Sequence, residues 1–191
     1  MEEIITDIYD EVKRRCMLNS NAYGIGAWDH HIEVVYKLAI KICDEYGADH
    51  DIVSLAALLH DVASVTNKEY TEEHHVIGAK IAGELLSKYD KLTEEKIELI
   101  KKCILNHRGS KIAKKITPEE ICVADADAMA HFYSVPSLLR MVYVEKGMEI
   151  DEGVDFVYKK LERSYNKLSE KGKKIIKPQY EAAKILLLKL Y

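Results

Sequence analysis

Residues 52–61 read Ile52-Val53-Ser54-Leu55-Ala56-Ala57-Leu58-Leu59-His60-Asp61. This run is apolar on nearly every side of a helix until its last turn, so it is read as a central, buried helix. A carboxylate at the end of such a helix is costly to desolvate unless it is paired, hydrogen-bonded or bound to a cation. His60 and Asp61 therefore need a joint explanation.

Outward from this run, apolar residues recur at three- and four-residue steps in nearly every segment, and no alternating stretch or Asn-Gly hairpin turn interrupts them. Helices are expected at 2–17, 29–46, 50–64, 71–89, 93–107, 117–131, 134–147, 151–170 and 174–190, an all-α architecture. Thr117-Pro118 followed by Glu119 and Glu120 reads as a helix start, and Thr71 and Thr93 are expected to open their helices in the same way. Gly47, Gly109, Gly147 and Gly172 are expected where the chain leaves a helix.

Several polar residues sit on the apolar stripes of these helices. His31 shares a face with Trp28, Ile32, Val35 and Leu38, whereas His30 aligns with charged residues. His107 continues the face of Ile100, Cys103 and Ile104, and Asp125 lies among Ile121, Cys122, Met129 and Phe132. His74 and His75 both lie on largely apolar rows, so the sequence leaves open which one faces inward. Gly78, Ala79, Ala82 and Gly83 permit close packing of that helix beside the central one. Asp127, two positions beyond Asp125, is read as pointing elsewhere and is left out of the inward set, as are His30, His50 and His131. Neutral imidazoles and carboxylates suit divalent ions, and a helical bundle can present them to one interior point.

The chain has 191 residues, 48% of them hydrophobic, which supports one globular domain with a sizeable core. Twenty-eight Lys and Arg against 32 Asp and Glu give a net charge of −4, which argues against general affinity for nucleic-acid polymers or anionic membranes. Cys16, Cys43, Cys103 and Cys122 show no C-x-x-C spacing and are read as reduced core residues. The charged N-terminus does not read as a signal peptide and the apolar runs are short for a bilayer, so a cytoplasmic protein is expected. Arg108, Lys111, Lys114 and Lys115 form a basic segment directly after His107, with Arg108 the expected phosphate contact.

The order His31, then His60-Asp61, then Asp125 resembles the HD superfamily of metal-dependent phosphohydrolases, whose pattern is H…HD…D. Ala56-Ala57-Leu58-Leu59-His60-Asp61-Val62 is similar to its central signature, and Val123-Ala124-Asp125-Ala126-Asp127 to its last motif. The resemblance covers about 28–132; the chain 1–191 is expected to form a single HD-type helical domain with 134–191 as a C-terminal extension. It implies a bundle of roughly eight to nine helices. Members with two further histidines hold two metals. The resemblance thus implies that Asp61 bridges two ions, with His31, His60 and Asp125 completing one site and His107 with His74 or His75 the other.

The expected cofactor is one or two divalent ions drawn from Fe, Mn, Zn, Mg, Ni or Co. The expected reaction is hydrolysis of a phosphate ester or phosphoanhydride of a small molecule such as a nucleotide, by metal-activated water, with Asp61 and Arg108 as the catalytic pair. The segment after His107 lacks the Gly-Tyr-Pro signature of cyclic dinucleotide phosphodiesterases. Two rivals share the pattern: an HD-type di-iron oxygenase, and a metal-bearing regulatory module without turnover. Partners are expected to be limited to a small phosphorylated substrate, with neither nucleic-acid polymer nor membrane. The tyrosine-rich C-terminal helices, ending in Ala182 to Leu188, are expected to pack and to offer a homodimer interface.

Overall fold

The computed structural model of the chain describes residues 1–24, 26–108 and 115–187. Within them the elements are α1 (Glu2–Cys16), α2 (Glu33–Tyr46), α3 (His50–Leu59), α4 (Val62–Thr66), α5 (His74–Leu86), α6 (Glu94–Asn106), α7 (Pro118–Tyr133), α8 (Val135–Arg140), α9 (Ile150–Lys167) and α10 (Glu170–Leu187). The described residues contain no strand, and no helix among them is long and apolar enough to cross a membrane. The fold is all-α.

The chain divides into two compact units, Met1–Asp127 and Ala128–Tyr191. In the first, α3 is the central element. Every residue from Ile52 to Leu59 is buried, and the helix packs against α1, α2 and α6. Each fully buried Leu or Ile there stabilises the fold by about 1.5–3 kcal/mol. Asp49 caps the helix, its carboxylate accepting from the Asp51 and Ile52 amides.

The expected helix 50–64 is broken at the residues that carry its chemistry. α3 ends at Leu59, Asp61 adopts φ −110° and ψ 16°, and a separate short helix, α4, follows. An unbroken apolar run on both sides of His60-Asp61 conceals the break, because burial is continuous across it. His31 lies in a second irregularity, a π-helical turn at Trp28–Ile32 that leads into α2. Such wide turns are rare and cluster at functional sites.

Other starts and stops are locally encoded. Thr117 and Glu120 form a reciprocal cap, Thr117 Oγ1 accepting from the Glu120 amide at 3.3 Å and the Glu120 carboxylate accepting from the Thr117 amide at 2.9 Å. Thr93 caps α6, and Gly47 and Gly147 take positive φ as expected. Thr71 does not open α5: a short 3₁₀ turn at Lys68–Tyr70 intervenes, and α5 starts at His74. Gly172 lies in the first turn of α10 rather than after a helix, its amide donating to Ser169 Oγ. Gly109, Lys111, Lys114 and Leu188 lie outside the described residues.

Gly78 on α5 faces α6 and the end of α3 at ordinary contact distance. A Cβ there would meet Ile104 Cγ2 at 3.4 Å and the His60 carbonyl oxygen at 3.7 Å. In the second unit, α9 packs on α10, burying Val157, Leu161, Ile176 and Ala183, and the Tyr165 and Tyr180 rings stack 3.9 Å apart. At the end of α10, Ile185 and Leu186 are exposed. All four cysteines are buried and free.

Candidate metal centre

The break between α3 and α4 places Asp61 at the middle of a ring of imidazoles. Its Oδ2 lies 3.3 Å from His31 Nε2 and 3.5 Å from His60 Nε2. Its Oδ1 lies 3.4 Å from His74 Nε2 and 3.8 Å from His107 Nε2. One carboxylate thus turns one oxygen to each of two histidine pairs. His60, Asp61, His74 and His107 are all buried.

Three of the four rings are held alike. His60, His74 and His107 each place Nδ1 on the carbonyl oxygen three residues earlier, of Ala57, Thr71 and Ile104, at 2.7, 2.7 and 2.6 Å. A carbonyl only accepts, so Nδ1 carries the hydrogen and Nε2 is the ring atom turned toward the centre. This is the arrangement by which a backbone carbonyl orients a metal-binding histidine.

Within each pair the Nε2 atoms stand 3.2 Å apart, His31 to His60 and His74 to His107. Two nitrogens bound at about 2.0–2.1 Å to one ion stand about 2.8–3.4 Å apart for ligand angles between square and tetrahedral. The donor set and its spacing therefore fit a divalent cation in each pair. His31-His60-Asp61 and Asp61-His74-His107 each converge their ligand atoms within 4.8 Å.

A family model described as HD domain matches residues 28–131. The chain belongs to the HD-domain family. HD domains generally are metal-dependent hydrolases and bind divalent metals. Among similar proteins are ribonuclease Y of Thermotoga maritima, 30% identical over 147 residues, and ribonuclease Y of Clostridium perfringens, 31% identical over 144 residues. Each match takes in 75% of this chain but 26% of the relative, so the chain spans about a quarter of the length of the curated relatives it matches. The crystal structure of Bacillus subtilis YpgQ in complex with ADP shares the fold, with a TM-score of 0.63 at 19% identity, covering 91% of this chain and 90% of that one.

The last aspartate of the HD pattern is where structure and sequence reading diverge. Asp127 Oδ1 lies 3.5 Å from His31 Nε2 and 3.9 Å from His60 Nε2. Asp125 is buried but accepts a 2.6 Å hydrogen bond from the Tyr46 hydroxyl at the end of α2, and it belongs to none of the ligand clusters among the described residues. The two side chains differ by about 200° around α7. That helix is buried on several sides, at Cys122, Val123, Ala124 and Ala126, so an apolar stripe there gives no direction.

The structure also separates the two neighbouring histidines of the HD site. His74 joins the centre, while His75, buried as well, meets the edge of the His74 ring at 5.7 Å and is in none of the clusters. Arg108 donates from Nη1 to the Glu72 carbonyl at 2.7 Å, tying the end of α6 to the chain just ahead of His74. His30 is exposed, His50 pairs with Asp44 at 2.7 Å, and His131 bonds with Ser164 within the second unit.

Burial and charge set the protonation of this HD centre. Burial works against charge on His60, but the Asp61 and Asp127 carboxylates outweigh it and hold its pKa at about 9. Burial, reinforced by His60, pushes His107 down to about 4, leaving it a neutral donor of its lone pair. Burial alone would raise Asp61, yet His60 and His31 hold it well below the usual carboxylate range. Sequence reading passed over Tyr23, whose ring meets the His31 ring edge-on with centroids 6.4 Å apart; its position on a loop outside any periodic stripe gave no signal.

Proposed function

We propose that this HD domain is a metal-dependent phosphohydrolase that cleaves a phosphate ester or phosphoanhydride of a small molecule, with nucleotides the leading class. The observation that carries this reading is the split of Asp61, one oxygen toward His31 and His60 and the other toward His74 and His107. In it, His31, His60, Asp61 and Asp127 hold one divalent ion, and His74, His107 and Asp61 hold the other. Bound there, divalent ions supply charge neutralisation for a phosphoryl group and bring the pKa of water toward about 7.

The protein's own part is orientation. Backbone carbonyls lock three imidazoles with Nε2 inward, so little reorganisation is needed when a ligand arrives. Arg108 stands next to His107, its guanidinium donating to the Glu72 carbonyl; we assign it to phosphoryl oxygens, which a planar fork suits. The net charge of −4 supports a small anion over a polyanion. Four free cysteines fit a reducing compartment, and we place the activity in the cytoplasm.

The test is hydrolysis of nucleoside mono-, di- and triphosphates, p-nitrophenyl phosphate, bis-p-nitrophenyl phosphate and a short RNA, with Mn, Fe, Co, Ni, Zn or Mg supplied in turn. Turnover of a small phosphate that is abolished by Asp61→Ala supports the reading. RNA as the only substrate would overturn the small-molecule part. Iron-dependent oxygen consumption without phosphate release would overturn the whole.

A further inference from the structure

A cleft separate from the metal centre opens on the first unit, where the end of α1, the segment from α4 into the 3₁₀ turn, and α5 come together. It encloses about 550 Å³, within the range of about 300–1,000 Å³ that small-molecule sites occupy. None of the histidines or aspartates of the metal centre lines it. Part of its wall is apolar: Ile77, Ile81 and Leu85 recur at four-residue steps along α5, half-buried, and Tyr70 joins them from the 3₁₀ turn.

The rest of the wall is charged. Lys80, Glu84 and, just past the end of α5, Lys88 form an adjacent exposed row, also at four-residue steps. Glu33 and Lys37 on α2 close to 2.9 Å at that spacing, yet among the described residues neither Lys80 nor Lys88 forms an ion pair. From α1 comes Arg15, whose side chain is only 15% exposed. Its Nε donates to Glu11 Oε1 and its Nη1 to Thr66 Oγ1, both at 2.8 Å, and Thr66 Oγ1 donates onward to the Val62 carbonyl at 2.6 Å. This chain of bonds fixes the guanidinium plane, and Nη2 takes part in none of it. Glu11 is shared with Arg14 and is not in the wall. Three cations thus border an apolar surface against a single acid, Glu84.

We propose that this cleft binds a small organic anion, its apolar body against Tyr70, Ile77, Ile81 and Leu85 and its carboxylate or phosphate head on Arg15, Lys80 and Lys88. Both parts of the ligand are required. An inorganic ion gains nothing from the apolar row, and a neutral apolar molecule leaves the cations without a partner. Arg15 is already held by Glu11 and Thr66, so little side-chain freedom is lost when it meets an anion. The site goes beyond the metal-centre reading and does not depend on it.

The experiment is calorimetric titration of the full-length protein with cinnamate, with cinnamamide, which has the same body without the charge, and with inorganic phosphate. None of the three carries a bond that a phosphohydrolase cleaves. The variants are Lys80→Glu combined with Lys88→Glu, which reverses charge at exposed positions, and Ile81→Trp, which fills the cleft. Wild type is expected to bind cinnamate saturably, and both variants at least about tenfold more weakly, the scale of one lost hydrogen bond to a charged group. Cinnamamide and inorganic phosphate should bind wild type more weakly than cinnamate by a similar factor. The thermal midpoint and metal content of the double lysine variant stay at the wild-type values, so that variant decides the matter even if Ile81→Trp fails to fold. Wild-type affinity for cinnamate in the double lysine variant overturns the proposal, because the anion then sits elsewhere, the metal centre included. Equal binding of cinnamamide overturns the anionic head, and equal binding of inorganic phosphate the apolar body. No saturable binding of cinnamate up to about 1 mM overturns the site as a whole.

Discussion

His74 Nε2 and His107 Nε2 face each other at 3.2 Å, and the Nδ1 of each ring is bonded to a backbone carbonyl. In the neutral rings, two lone pairs therefore converge on one point beside Asp61 Oδ1, 3.4 Å from His74. A cation at that point satisfies three acceptors at once.

Metal stoichiometry should separate the two pairs. Wild type is expected to hold two ions per chain, and His107→Ala or His74→Ala one. His75→Ala, although the residue is as buried as His74, should keep two. Elemental analysis of protein purified without chelator gives the count; a loss of metal in His75→Ala would contradict the assignment of His74.

The two aspartates of α7 should behave differently. Asp127→Asn removes a carboxylate facing His31 and His60 and is expected to weaken the ion at that pair at least about tenfold. Asp125→Asn alters the acceptor of the Tyr46 hydroxyl and should leave metal affinity unchanged, with a stability loss of about 1–3 kcal/mol in urea. The opposite ranking in a chelator-competition titration would restore Asp125 to the centre.

Metal removal should destabilise the protein. An ion that binds only the folded chain at about 100 times its Kd adds roughly 2.7 kcal/mol. Chelation is therefore expected to lower the thermal midpoint by several degrees, with recovery on adding the metal back. An unchanged midpoint across the same cycle would count against tight ions in this fold.

Leu58 is fully buried on the central helix α3. Leu58→Ala should cost about 2–5 kcal/mol in equilibrium unfolding, the range for a core truncation that leaves a cavity. A cost below about 1 kcal/mol would mean that α3 is not the packed centre of its unit.

Glu11 gives a pH signature away from the metal. Its hydrogen bond from Arg14, against burial and with help from Arg15, lowers its pKa to about 2. A depressed acid stabilises the fold above its unfolded pKa near 4.5 and loses that contribution as pH falls toward about 2. The stability gap between wild type and Glu11→Gln, below about 1 kcal/mol for so accessible a pair, should shrink between pH 5 and pH 2 in urea unfolding. A gap that widens on acidification would reverse the sign.

The sequence by itself determined the helical class, the buried α3 and the ends marked by Thr93, Thr117 and Gly47, because three- and four-residue periodicity and capping chemistry are local properties. It also marked His31, His60, Asp61 and His107 as polar groups on core-facing surface. The tertiary structure decided the rest. The helix break at His60-Asp61 re-aims a carboxylate inside a continuously buried run, where periodicity has no contrast to offer. The choices of His74 over His75 and Asp127 over Asp125 depend on the rotation of helices buried on more than one side, which is set by the neighbours they pack against. Tyr23 reaches the His31 ring on a loop whose neighbouring residues bond to the chain some forty positions away, which no local pattern encodes.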